Sequence, residues 1–308
     1  MAFEPPERLV RALGETPESS QTTEWLGRLP ELTGKALARR GVQVQRVQAP
    51  GGRSSLVVLV RYADGTPATL KIAPPQARPD RERAALDHWA GFGAVRVLDD
   101  AVTGGARGDG SEDDGALLLE RLQPEVSLRS LPEAKALLEA AGTIRRLWVP
   151  PAADHPFETV TERTGRQCAA LAAAPEQAAP LVEAALAARE ELTALPGEPV
   201  LLHGNFRQGK VLAGERAPWL TVGPEPLVGD REYDLARLCR DRLEDQVATS
   251  AGAAGARRRV NRLADSLEVD RDRLRGWTLF RAVESGVRAM AAGRRRDGEL
   301  LLEFAGWL

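Results

Sequence analysis

Residues 50–72, PGGRSSLVVLVRYADGTPATLKI, restrict the fold more than any other stretch. A β-branched run, Leu56–Val60, is followed by a DGTP turn and then by ATLKI, so the chain turns back on itself as a hairpin. The preceding VQVQRVQ alternates Val with Gln and supplies another antiparallel strand. Before these strands the apolar period is helical, in PERLVRAL and in EWLGRLPELTGKALARRG, with Pro and Gly between them. After them, RPDRERAALDHWAGFG reads as a helix with Asp80 as its N-cap. AVRVLDD and GALLLERL then read as two further strands, separated by the flexible loop TGGARGDGSEDDG.

Beyond LQPEVSLRSLPEAKALLEAAGTIRRLW the pattern is helical to the end, apart from residues 198–230. There PVLLHG, KVLAG and PWLTVG predict a small sheet carrying loops. The expected architecture is α+β and bilobal. It has an N-lobe over 1–122 with a five-stranded antiparallel sheet and one inserted helix, and a mainly helical C-lobe over 123–308. A connector runs near Glu120–Pro124. This order of elements is that of a two-lobed kinase.

Composition excludes several classes. The longest apolar runs are Ala-rich and broken by Pro and Glu, short of the ~20 continuous apolar residues of a membrane span. The N-terminus, MAFEPPERLVRALGE, is acidic and helical and does not read as a signal peptide, so a cytoplasmic location is expected. Cys168 and Cys239 lie far apart in helical patterns and are expected to be buried free thiols. His88, His155 and His203 do not cluster, which gives no zinc signature. Nothing points to haem or flavin. The net charge of -2 gives no global attraction to nucleic acid or acidic membrane.

The chemistry-bearing residues are few, since the only lysines are Lys35, Lys71, Lys135 and Lys210. Phosphoryl transfer needs positioned phosphates, Mg²⁺ held against them, and a carboxylate facing the acceptor hydroxyl. Lys71, on the third strand, and Glu82, on the following helix, suit the first need in type, order and setting.

With these residues in place the chain resembles the aminoglycoside phosphotransferases, most closely the streptomycin 6-kinase and hydroxyurea phosphotransferase group. PERLVRAL, PGGRSSLVVLVRYADGTPATLKI, DHWAGFGAVRVLDD, ALLLERLQPEVSLRSL, LLHGNFRQGKVLAGERAPWL and LVGDREYDLARL follow that group's order over nearly the whole chain. The resemblance implies an ATP site between the lobes. Lys71, Glu82 and Lys210 would serve the nucleotide, and adenine would lie at the hinge, Glu120 to Leu122. His203 would hold the catalytic loop, and an acceptor site would lie in the helical lobe.

Three departures oppose that implication. The family's catalytic Asp, its metal-binding Asn and its second metal-binding Asp fall here on Asn205, Lys210 and Gly223. An amide cannot take up the hydroxyl proton, and loss of a general base costs a factor of about 10²–10⁴. Mg²⁺ demands oxygen ligands, which neither an ammonium nor a glycine side chain provides. The expectation is a pseudokinase that acts by binding, as scaffold, regulatory partner or ligand sensor. The alternative is a weak or altered ATP-dependent phosphotransferase acting on a hydroxyl group, in antibiotic resistance or secondary metabolism.

Glu225, fixed between Pro224 and Pro226, is the candidate for a displaced metal ligand, followed by Asp230. Asp230 and Asp234 are expected to cap a helix and support the loop. Lys210 either stands in for the missing ion, so that ATP binds without magnesium, or pairs with Glu82, Glu225 or Asp230. Arg257–Arg259 and Arg294–Arg296 are expected to be solvated helix faces, with docking of an acidic protein partner as the other reading. Trp277, Phe280, Phe304 and Trp307 are expected to pack the core. A small-molecule ligand or a protein partner is expected, nucleic acid is not, and no motif sets an oligomeric state.

Overall fold

A computed structural model describes residues 4–15, 19–98, 115–248 and 252–308. The chain forms two compact units, one of Met1–Val126 with Leu212–Leu220, the other of Ser127–Val211 with Thr221–Leu308. The division expected at residue 122 therefore falls four residues later, and the later segment 212–220 groups with the first unit.

In the first unit, helices α1 (Glu7–Gly14) and α2 (Ser19–Arg40) precede strands β1 (Val42–Val47), β2 (Leu56–Tyr62) and β3 (Pro67–Ile72). Helix α3 (Pro79–Trp89) and strand β4 (Ala116–Glu120) follow. The strands pair in the order β1-β2-β3-β4, each neighbouring pair antiparallel. The DGTP turn closes with Asp64 Oδ1 accepting the Thr66 amide at 2.8 Å, the Asx geometry that makes this tetrapeptide a turn.

The sheet has four strands, not five. Of AVRVLDD, Val97 bridges Leu119, and Leu98 and Arg96 exchange backbone hydrogen bonds with Leu118 and Glu120, without extending into a strand; its last two residues and the expected flexible loop lie outside the described residues. The Asp80 cap is also corrected. Pro79 takes the first helical position after left-handed Arg78, so Asp80 falls within the first turn and its carboxylate accepts from the Arg78 guanidinium at 2.9 and 3.1 Å.

Period-two alternation sorts the side chains of β3. Ala68, Leu70 and Ile72 join Leu9, Leu13, Trp25 and Leu29 of the first two helices in one core, which leaves Lys71 on the opposite face.

The second unit carries a short sheet in the order β6 (Glu158–Thr159), β10 (Leu227–Gly229), β7 (Val200–Leu202). Strands β5 (Gln123–Ser127), β8 (Val211–Ala213) and β9 (Trp219–Thr221) form a third sheet. β5 lies where only a connector was expected.

The helices are α4 (Glu133–Arg145), α5 (Val160–Leu171), α6 (Ala179–Ala194), α7 (Arg231–Cys239), α8 (Leu243–Val247), α9 (Gly252–Leu267), α10 (Arg271–Ala291) and α11 (Arg295–Gly306). α10 packs against α6, α7 and α11. Trp277 and Phe280 on it are buried with Phe304 and Tyr233, and the Trp277 ring meets Tyr233 edge-on at 5.2 Å. Burying each such side chain contributes about 1.5–3 kcal/mol.

Trp307 packs against this core and against Phe304 as expected, Cys168 is only partly buried, against expectation, and Cys239 is enclosed, where burial pushes its thiol up to about 12. Arg259 is likewise not solvated: it is buried, and bonds Glu133 and the Asp241 carbonyl. No helix among the described residues is long and apolar enough to cross a membrane.

Candidate active site

The first unit brings Lys71 and Glu82 together in an ion pair, with 13% and 4% of their side chains exposed. Strand alternation delivers the lysine to the face free of α1 and α2, and Glu82 reaches it from the first turn of α3. Glu82 Oε1 is buried without a hydrogen-bond partner. An ammonium so placed is the group of this unit that would meet a phosphate.

The expected hinge residues have other engagements. The Glu120 carboxylate accepts from Arg216 at 2.7 Å and from the Arg96 amide at 2.9 Å, and Arg216 also donates to the carbonyls of Gly91 (2.8 Å) and Ala94 (3.1 Å). Leu122 is buried. Any contact to a base would therefore fall on the backbone here. Arg216 has no motif around it, and sequence reasoning missed it.

In the second unit the loop after β7 is fixed from below by Asp234. Its carboxylate accepts the amides of His203 at 2.8 Å and Gly204 at 2.9 Å, the loop support expected of it. Arg281 donates to the carbonyls of Gly204 (2.9 Å) and Tyr233 (2.8 Å), with its guanidinium 4.3 Å over the Tyr233 ring.

Gly204 is left-handed, at φ 71°, and a Cβ there would collide with the carbonyl oxygen of Glu225. That close approach is secured by the Glu225 amide donating to the His203 carbonyl at 2.9 Å. Asp230 makes no helix cap. It accepts from the Gly197 amide (2.9 Å), from Trp277 Nε1 (3.0 Å) and from Arg273, so its oxygens are used in anchoring α10.

His203 is enclosed, and burial pushes its imidazole down to about 3, helped by Lys210. It is a neutral structural group at physiological pH. Burial pushes Asp234 up to about 6 against the pull of its two backbone donors.

The three altered positions converge on one loop pair. Asn205 donates through Nδ2 to Glu225 Oε1 at 2.6 Å, and its Oδ1 is buried with no partner. Lys210 Nζ approaches the Gly223 carbonyl at 3.4 Å. It fills the space that a Cβ on Gly223, at φ 61°, would enter.

Solvent reaches Glu225. The desolvation that opposes its ionisation is outweighed by Arg237, Lys210, Arg163 and Arg281, which hold its carboxyl below the usual range. These arginines come from α5, α7 and α10, and no spacing in the sequence marks them as neighbours of residue 225.

The donor set does not fit magnesium. Lys210 and Gly223 give no anionic oxygen, Glu225 is surrounded by cations, the Asp234 oxygens are taken by the His203 and Gly204 amides, and no cluster of three His, Cys, Asp or Glu exists among the described residues. Glu225 as a displaced metal ligand gains no support from this charge balance.

A sequence profile described as aminoglycoside/hydroxyurea antibiotic resistance kinase matches residues 40–293. The chain belongs to this kinase family. Within it, the chain is 33% identical over 290 residues to streptomycin 6-kinase of Streptomyces griseus, covering 90% of each. It is 35% identical over 292 residues to hydroxyurea phosphotransferase of Kitasatospora aureofaciens, covering 91% of this chain and 77% of the relative.

Solved structures share the family's fold. Aminoglycoside phosphotransferase APH(4)-Ia superimposes with a TM-score of 0.60 at 15% identity, over 90% of this chain and 97% of that one. Amicoumacin kinase hAmiN gives 0.62 at 13% identity, over 91% and 96%. At such identities the likeness concerns the fold alone.

Proposed function

We propose that this family member binds a nucleotide or another anion without efficient phosphoryl transfer, as a pseudokinase serving as scaffold, regulatory partner or ligand sensor in the cytoplasm. The observation that carries this reading is the position of Lys210, whose ammonium fills the space of a side chain at Gly223. A cation there repels a metal ion and attracts phosphate. Nucleotide binding without magnesium is part of the proposal, and calorimetry with ATP in EDTA tests it: heat in EDTA supports it, and no heat with or without magnesium ends it. The transfer deficit is tested by restoring Asn205→Asp, Lys210→Asn and Gly223→Asp together. Turnover that appears only in the restored protein supports the reading.

The kinase names of the relatives favour a second reading, an ATP-dependent phosphotransferase acting on a hydroxyl group of a small molecule, such as an antibiotic. One geometric observation supports it: an ionised, accessible carboxylate, Glu225, lies 2.6 Å from the Asn205 amide and could accept the proton that Asn205 cannot. Robust ATP turnover by the natural protein over a panel of hydroxylated acceptors, abolished by Glu225→Gln, would establish this reading and overturn the first.

A further inference from the structure

The charges around Glu225 carry an inference about the ligand, which deepens the binding reading and rests on it. Four cations lie within electrostatic reach of this one carboxylate. Two are engaged: Arg163 with Glu158 at 2.8 Å, and Arg281 with the carbonyls of Gly204 and Tyr233. Lys210 bonds the Gly223 carbonyl at the long distance of 3.4 Å. Arg237, on α7, is half-buried and has neither a hydrogen bond nor a salt bridge among the described residues; Arg281 and Arg207 add positive charge near it, and Glu225 and Asp241 offset part of it. Glu158, for its part, is taken up by Arg163 and Arg166.

A second observation is independent of charge. Because Glu225 holds the Nδ2 side of the Asn205 amide, Oδ1 is turned away from it, and this buried acceptor has no donor. Buried polar atoms in native proteins are nearly always paired, so this orphaned acceptor marks a place where a ligand completes the network.

We infer that Arg237, Lys210 and Asn205 form a site for a small hydroxylated acid, its carboxylate or phosphate held by Arg237 and Lys210 and a hydroxyl donating to Asn205 Oδ1. Glu225 orients the amide and offsets part of the positive charge. A polycationic ligand meets like charge at this site and is rejected. The oxyanion could belong to a hydroxylated acid or to a nucleotide phosphate, and the two sources are separable.

The test is calorimetry on the intact protein at low ionic strength, with 6-phosphogluconate, gluconate, sulfate, ATP in EDTA, and streptomycin as probes. 6-Phosphogluconate or gluconate binds at least tenfold tighter than sulfate, which lacks the hydroxyl, and streptomycin gives no heat. Arg237→Gln weakens the acids tenfold or more, while Arg258→Gln, an exposed arginine on α9, leaves them unchanged. Asn205→Asp weakens the acids and admits streptomycin.

Should Arg237→Gln fail to fold, as judged by its melting curve, Arg237→Lys and Lys210→Gln are read in its place, with losses of about threefold and tenfold. Streptomycin binding as tightly as the acids, an Arg237→Gln effect under twofold, or no heat from any acid overturns the inference. Heat from ATP alone overturns it while leaving nucleotide binding intact. Heat from the acids alone does the reverse.

Discussion

Lys210 and Gly223 occupy one volume between them: the ammonium of the first stands where a side chain on the second would project. The two departures from the family's metal ligands are thus physically coupled. Gly223→Asp alone places a carboxylate against Lys210, and the new ion pair offsets most of the roughly 1 kcal/mol that an Asp costs in the left-handed region. The melting temperature stays near that of the natural protein, and titration with magnesium gives no heat. Magnesium heat from this single variant would show that Lys210 yields its place.

Glu225→Gln separates the two functional readings. If the protein only binds, loss of this carboxylate removes the counter-charge from Arg237 and Lys210 and tightens anion binding severalfold, with no turnover to lose. If Glu225 takes the acceptor proton, turnover falls by about 10²–10⁴. Steady-state ATP consumption together with calorimetry reads both outcomes.

Gly204→Ala is expected to destabilise by about 2–4 kcal/mol, because φ is positive and the Cβ meets the Glu225 backbone rather than a movable side chain. Gly255→Ala, within α9 and with no atom near its Cβ, is expected to stabilise by about 0.5–1 kcal/mol. Urea unfolding of the two variants tests whether the close approach of residues 204 and 225 is built into the fold.

The Lys71–Glu82 pair predicts non-additivity. Lys71→Met leaves a buried carboxylate unpaired and costs about 3–5 kcal/mol, whereas Lys71→Met with Glu82→Leu costs much less. A double-mutant cycle by chemical denaturation measures the difference. Strict additivity would mean the pair contributes only through packing.

His203 and Asp234 give opposite pH slopes. Between about 3 and 6.5 the unfolded chain binds a proton at His203 that the folded protein refuses, so this group makes stability rise with pH. Between 3.8 and about 6 the folded protein keeps a proton on Asp234 that the unfolded chain releases, so this group makes stability fall as pH rises. In the overlap they cancel in part. Asp234→Asn therefore steepens the loss of stability on acidification from pH 6 to 4, and His203→Gln shallows or inverts it. Urea midpoints at pH 4, 5, 6 and 7 decide this, and curves parallel to the natural protein's would exclude it.

These residues also show what a single sequence discloses. Lys71 and Glu82 were legible as partners, because strand alternation and helix position follow from local pattern. Asn205, Lys210 and Gly223 were legible as departures, because the loop's motif numbers them. The arginines that set the charge around Glu225 were not, since they arrive from separate helices; Arg281 meets a loop 77 positions earlier. Of the expected caps, Asp80 fell one position inside the helix because Pro79 starts it, and Asp230 has its carboxylate engaged by three donors distant in sequence. The fifth strand shrank to a bridge because alternation records which residues could pair and not how far the pairing runs: residues 96–98 meet the β4 edge over one short stretch.

The grouping of residues 212–220 with the first unit bears on how the protein is made. A ribosome that has released residue 126 has not yet supplied β8, β9 or the Arg216 side chain that engages Glu120. β5 pairs only within the sheet β5-β8-β9, so its partner strand is not made until more than eighty further residues have been synthesised. The sheet β1–β4 and its core can form from the first 120 residues, whereas the sheet of β5 and the Arg216 contact to Glu120 are completed only after the intervening segment has been made.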